Sequence, residues 1–187
     1  MNPKFWWYAA RSTGIVAWAL AAAAVLWGLL LSTRSARGLA KPVWVLDLHR
    51  WLGALTIAFT LAHMGALVGD NFVHFGAGDL LVPGVSPWKT MPVAIGIIAF
   101  WMFLAVEVSS LFRKRLPNKV WVRIHLLSFL AYVAATVHYL QAGTERTNPV
   151  LLLVVEVVTG AVLFLTVLRI LTPRRSRRSP KPVPASA

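Results

Sequence analysis

The chain has 187 residues, of which 58% are hydrophobic, with a mean hydropathy of +0.67, no cysteine and a formal net charge of +13. A water-soluble fold this apolar lacks the polar surface to cover itself, so a membrane class comes first. Without cysteine there are no disulfides, no thiolate-held iron–sulfur clusters and no covalently attached c-type haem.

Five apolar stretches are long enough to span a bilayer, which takes about 20 residues. They run over 12–31, 47–68, 91–112, 120–141 and 149–171. The first is too long for the apolar core of a signal peptide, and Arg34, Arg37 and Lys41 follow it as a stop-transfer flank. It is therefore expected to be a retained helix. Between the second and third spans lies an outer loop, 69–90, rich in Gly and Pro (Gly76, Gly78, Pro83, Gly84, Pro87). The stretch 172–187 is basic and rich in Pro and Ser, and is expected to be a disordered cytoplasmic tail. The predicted fold class is an all-α integral membrane bundle of about five transmembrane helices, with 1–171 as one domain. No internal repeat, G-x-G-x-x-G or phosphate-binding loop occurs.

The charges give an orientation. With five spans, the first and third connections and the tail share one side. That side carries Arg34, Arg37, Lys41, Arg50, Arg113, Lys114, Arg115, Lys119, Arg123, Arg169 and the basic tail, 15 of the 19 basic residues. The opposite side has Lys4, Arg11, Lys89 and Arg146. The positive-inside rule places the N-terminus outside and the C-terminus in the cytoplasm of a multi-pass plasma-membrane protein. The same placement, in the gaps between apolar runs, argues against nucleic acid as the partner of the basic charge. Trp6, Trp7, Trp44, Trp88 and Trp121 fall near span ends, as interfacial aromatics do.

Four of five histidines lie in two spans: His49 and His63 in the second, 14 apart, and His125 and His138 in the fourth, 13 apart. Ionisable groups at membrane depth are expensive and mark function by default. Neutral imidazole is also an axial ligand of haem iron. At 1.5 Å per residue each pair of positions is separated by about 20 Å along its helix. Spans two and four run parallel, so His49 levels with His125 and His63 with His138. Each levelled pair can clamp one iron, giving two bis-histidine b-type haems stacked between the second and fourth spans. His49, Gly53, Thr56, Thr60 and His63 form one stripe of small or weakly polar residues. The fourth span is less regular, because 13 residues fall about 140° short of four turns. A lone membrane histidine is commonly an interhelical hydrogen-bonding residue; two matched pairs on parallel spans point to haem.

The remaining polar residues are less specific. His74, between Asp70 and Asp79 in the outer loop, suits a metal ion but reads more simply as an exposed loop histidine. Glu107 and Glu156 lie inside spans, where they can orient an imidazole or carry protons, or simply pair within the bundle. Arg34, Arg37, Arg50 and Arg123 can meet inner-haem propionates, although inside-positive topology already explains them.

At these histidines the sequence resembles the ferric-reductase-like transmembrane domain, the cytochrome b superfamily of ferric reductases, NADPH oxidases and the haem subunit of methionine sulfoxide reductase, in a compact bacterial form. The likeness covers roughly 11–141, with softer similarity around 48–50, 73–83 and 104–125. It implies transmembrane electron transfer from a cytoplasmic flavin reductase or free reduced flavin (FAD or FMN on a separate partner) to an external acceptor. It further implies that His49 and His125 hold the inner haem and His63 and His138 the outer, with Arg11 near the outer propionates. The departures are specific. Many relatives have six spans and a fused flavin–nicotinamide domain, for which 172–187 is too short. The oxidases carry a further histidine one turn beyond the outer ligand, where Leu67 stands here, so electron relay is better supported than oxygen reduction. The rival readings are a quinol-linked small cytochrome b and a haem-free membrane scaffold or transporter.

Overall fold

A computed structural model of the chain describes residues 4–33, 42–70, 72–145 and 147–171. They form six helices: α1 (Phe5–Thr33), α2 (Pro42–Gly69), α3 (Ala77–Leu81), α4 (Thr90–Leu111), α5 (Asn118–Ala142) and α6 (Pro149–Leu171). Five of them, all but α3, are long and apolar enough to cross a membrane, and the protein is an all-α multi-pass membrane bundle. The second and fourth spans of the sequence are α2 and α5. Arg34, Arg37, Lys41, Arg146 and the tail from 172 lie outside the described residues.

Proline sets several helix starts. Pro42 and Pro149 open α2 and α6, and Pro117 precedes α5, positions where a missing N–H costs nothing. Asn148 accepts from the amides of Val150 and Leu151 through Oδ1, at 3.0 and 3.4 Å, capping α6. At the far end of α5, Lys89 Nζ donates to the Gln141 carbonyl at 3.0 Å, where a cation also suits the helix dipole.

α1 packs along α2, and α4 along α5, while α1 also touches α5 and α6. The central core joins α1, α5 and α6. Trp18, Ala22, Val25 and Leu29 recur at helical spacing on α1 and meet Tyr132 and Tyr139 of α5 and Val155 and Val162 of α6. Trp18 stacks between the two tyrosines, with ring centroids 6.4 and 5.8 Å apart. The buried polar tips are satisfied: Trp18 Nε1 donates to Thr136 Oγ1 at 3.0 Å, and Tyr132 and Thr159 share a hydroxyl bond at 3.0 Å. Large apolar side chains elsewhere face outward, as lipid requires.

The described residues 72–89 between α2 and α4 are ordered rather than featureless. Asp79 Oδ2 accepts from the Gly76 amide at 2.9 Å to start α3. Trp101 Nε1 donates to the Leu81 carbonyl at 2.9 Å, fastening the loop to α4. Phe75, Leu80 and Ser86 are buried, and Phe75 meets Trp88 edge-on. This segment thereby covers one end of the bundle.

Candidate haem-binding site between α2 and α5

The four membrane histidines meet in two pairs. The His49 and His125 ring centroids are 6.0 Å apart, and those of His63 and His138 6.5 Å apart. The paired planes are steeply inclined, at 67° and 76°, and no hydrogen bond joins partner to partner. Two imidazoles on opposite sides of one metal, with metal–nitrogen bonds of about 2 Å, have centroids about 6–6.5 Å apart. Both pairs stand at that separation.

Glycines on neighbouring helices hold these rings in place. A Cβ on Gly14 of α1 would lie 2.9 Å from His63 Nδ1, and one on Gly28 of α1 3.1 Å from His49 Cε1. A Cβ on Gly96 of α4 would lie 2.6 Å from His138 Nδ1. In each case the carbonyl four residues before the glycine faces the ring. His63 Nδ1 donates to the Ala10 carbonyl at 2.6 Å, and His138 Nδ1 to the Pro92 carbonyl at 2.7 Å. A carbonyl can only accept, so Nδ1 carries the proton and Nε2 keeps its lone pair, the tautomer a metal needs. The Ala24 carbonyl, four before Gly28, faces His49, but the geometry falls short of a hydrogen bond. The Nδ1 atoms of His49 and His125 are buried without a partner among the described residues.

α5 is unbroken from Asn118 to Ala142, so no local distortion absorbs the 13-residue step. The two imidazoles leave the helix in different directions and are held differently. His138 is bound to α4. His125 lies along its own helix and stacks on Trp121, with centroids 4.8 Å apart and planes 23° apart. Trp121, expected only as an interfacial anchor, is thus part of the site.

A cavity of about 290 Å³ lies at the end of the bundle covered by residues 72–89, lined by Arg11, Gly14, Thr60, His63, Gly96 and His138 among others. Arg11 is ion-paired with Glu145 and lies over the Trp7 ring, 4.9 Å from its centroid. Leu67 also lines this cavity. On the stripe of α2, Thr56 and Thr60 bond back to the carbonyls four residues earlier, at 2.8 and 2.7 Å. Gly53 receives the Glu107 carboxylate, whose Oε2 would lie 2.7 Å from an added Cβ. Glu107 therefore packs against α2, and among the described residues no hydrogen bond joins it to a histidine. Glu156 lies exposed on α6, His74 is exposed in the outer loop with a positive φ of 55°, and Arg50 pairs with Asp47 at 3.0 Å. Arg123 is exposed.

The residues fit haem better than a bare ion. Among the described residues no group of three or more His, Asp or Glu side chains could hold a metal ion. Two histidines complete a haem iron's coordination, because the macrocycle supplies the other ligands. The paired rings, the protonated Nδ1 atoms of His63 and His138 and the glycine recesses all suit that arrangement.

The family described as ferric reductase like transmembrane component matches residues 13–136. The heme-binding subunit MsrQ of protein-methionine-sulfoxide reductase from Rhodospirillum rubrum is 26% identical over 165 residues, covering 82% of this chain and 74% of the relative. No solved structure matches. The matched region contains three of the four paired histidines and most of α1, α2, α4 and α5, and the chain belongs to the family of ferric reductase-like transmembrane components.

Proposed function

We propose that the chain is a transmembrane electron-transfer cytochrome holding two b-type haems. The observation that carries the reading is the pairing of four histidines at two levels of the bundle, each pair at a ring separation that would let both imidazoles hold one haem iron. His49 and His125 hold the inner haem, and His63 and His138 the outer. When bound, the haem irons supply one-electron redox chemistry at the two levels.

The chain's own residues do the rest. Ala10 and Pro92 fix the tautomer and plane of the outer imidazoles. Gly14, Gly28 and Gly96 let the rings seat against their helices. Arg11, in the outer cavity, holds outer carboxylates and shares its charge with Glu145. The outer loop excludes bulk water by burying Phe75 and Leu80. The basic face made by Arg113, Lys114, Arg115, Lys119 and Arg123 is cytoplasmic. It receives a reduced flavin, free or on a flavin reductase, and the acceptor lies on the other side. The Rhodospirillum rubrum relative is by name a heme-binding subunit, which supports a role as the haem subunit of a larger redox system.

The test is vectorial. Proteoliposomes of the full chain, given reduced flavin on the tail side, should reduce an impermeant ferric chelate on the other side. His63→Ala should abolish that transfer. Equal rates from protein-free vesicles would overturn the reading.

A further inference from the structure

The two histidine pairs are held by different means. Both outer imidazoles are locked by Nδ1 bonds to backbone carbonyls, whereas His125 Nδ1 has no partner. What meets His125 instead is the face of Trp121, one turn earlier on α5. The Trp121 ring also meets a cation. The Arg113 guanidinium sits 4.3 Å from a Trp121 ring centroid, and its Nη2 donates to Asn118 Oδ1 at 2.6 Å. Arg113, Trp121 and His125 thus form a column from the α4–α5 turn to a ligand imidazole.

The column contains an unexplained polar atom. Trp121 Nε1 is buried, and no acceptor in the described chain takes its proton. An indole N–H is a donor only, and buried donors in folded proteins nearly always find an acceptor. A haem held through His125 brings two carboxylates, the acceptor class suited to both an indole N–H and a guanidinium.

We propose that Trp121 is the positioning residue of the inner haem site: its indole face sets the plane of His125, and its Nε1–H, backed by Arg113, takes a carboxylate of the haem. This rests on the reading of His49 and His125 as ligands. The stack replaces at the inner level what the Ala10 and Pro92 carbonyls do at the outer. The donor and the guanidinium together offset the carboxylate charge, which keeps the inner potential higher than it would otherwise be.

Three variants of the full-length protein separate the parts. Trp121→Phe keeps a flat ring and loses the donor. Trp121→Leu loses both, and Arg113→Gln removes the cation. Low-spin ferric EPR reads the relative orientation of the axial rings through the largest g value, and potentiometry reads each haem's midpoint. Trp121→Leu should shift the inner haem's g feature and lower its potential. Trp121→Phe should leave the g feature in place while still lowering the potential, and Arg113→Gln should do likewise. The outer haem's signals should stay fixed in all three and report intact folding. An inner g feature unmoved in Trp121→Leu, or moved equally in Trp121→Phe, would overturn the stacking role. An unchanged potential in Trp121→Phe would overturn the carboxylate contact. If Trp121→Leu fails to fold, the other two variants decide. Wild-type protein without haem signals would instead sink the functional reading itself.

Discussion

Replacing Gly96 by alanine adds a methyl group at the tightest point of the outer site. The new Cβ would stand 2.6 Å from His138 Nδ1, 2.8 Å from Cε1 and 2.9 Å from Cγ. Ordinary carbon contacts begin near 3.5 Å, so the imidazole must retreat by about 1 Å. A retreat of that size stretches the 2.7 Å bond from Nδ1 to the Pro92 carbonyl beyond hydrogen-bonding range. A buried donor left without its acceptor costs about 1–3 kcal/mol. Losing the partner that orients a metal-binding histidine typically lowers metal affinity about 10–100-fold. Alanine also favours helix over glycine by about 1 kcal/mol, so the chain need not lose stability. Gly65→Ala and Gly160→Ala isolate that helix effect, because an added Cβ at either meets nothing within 4 Å. The assay is haem competition with apomyoglobin, followed by reduced-minus-oxidised spectra. Gly96→Ala should release one spectral component about 10–100-fold more readily and keep the other, while the two control variants match wild type. Wild-type retention of both components in Gly96→Ala would refute the seating argument.

Other expectations follow from the same contacts. Gly14→Ala, whose Cβ would meet His63 Nδ1 at 2.9 Å, should weaken the same component less than Gly96→Ala does, and Gly28→Ala, at 3.1 Å from His49, should mildly weaken the other; a reversed order in the competition assay would contradict the geometry. His63→Ala and His138→Ala should remove one shared component and His49→Ala and His125→Ala the other, and spectra in which His49→Ala matches His138→Ala would break the pairing by depth. Thr136→Val leaves Trp18 Nε1 buried without its acceptor and should cost about 1–3 kcal/mol, read as a lower thermal midpoint in detergent; an unchanged midpoint would show the bond contributes nothing. Reporter fusions after Leu171 should be active only with a cytoplasmic reporter, and protease reaching that end from outside intact cells would reverse the orientation.

Much of this architecture is legible in the chain because lipid imposes simple rules. Apolar length marks the helices that become α1, α2, α4, α5 and α6, and four imidazoles at matched spacing stand out where ionisable groups are costly. The seats of those imidazoles are not legible in the same way. They depend on which helix lies beside which, and hydropathy does not specify neighbours. One trace was available: Gly14 and Gly28 are 14 residues apart, the same gap as His49 and His63, on a helix running antiparallel to the ligand helix. Gly96 had no such counterpart, because it seats an imidazole of α5 from α4. Trp121 carried a signal that pointed elsewhere, since a tryptophan at a span end is ordinarily an interfacial anchor. Its position four residues before His125 allowed the stack. The Arg11–Glu145 pair joins α1 to the loop before α6, a contact that only the folded bundle supplies.

The central claim is that two histidine pairs hold two haems, and a count tests it most directly. The full chain, purified from membranes with haem supplied during expression, should give about two haems b per polypeptide by pyridine haemochrome, one for each axial pair. A value near zero or one, at full occupancy of folded protein, would contradict it.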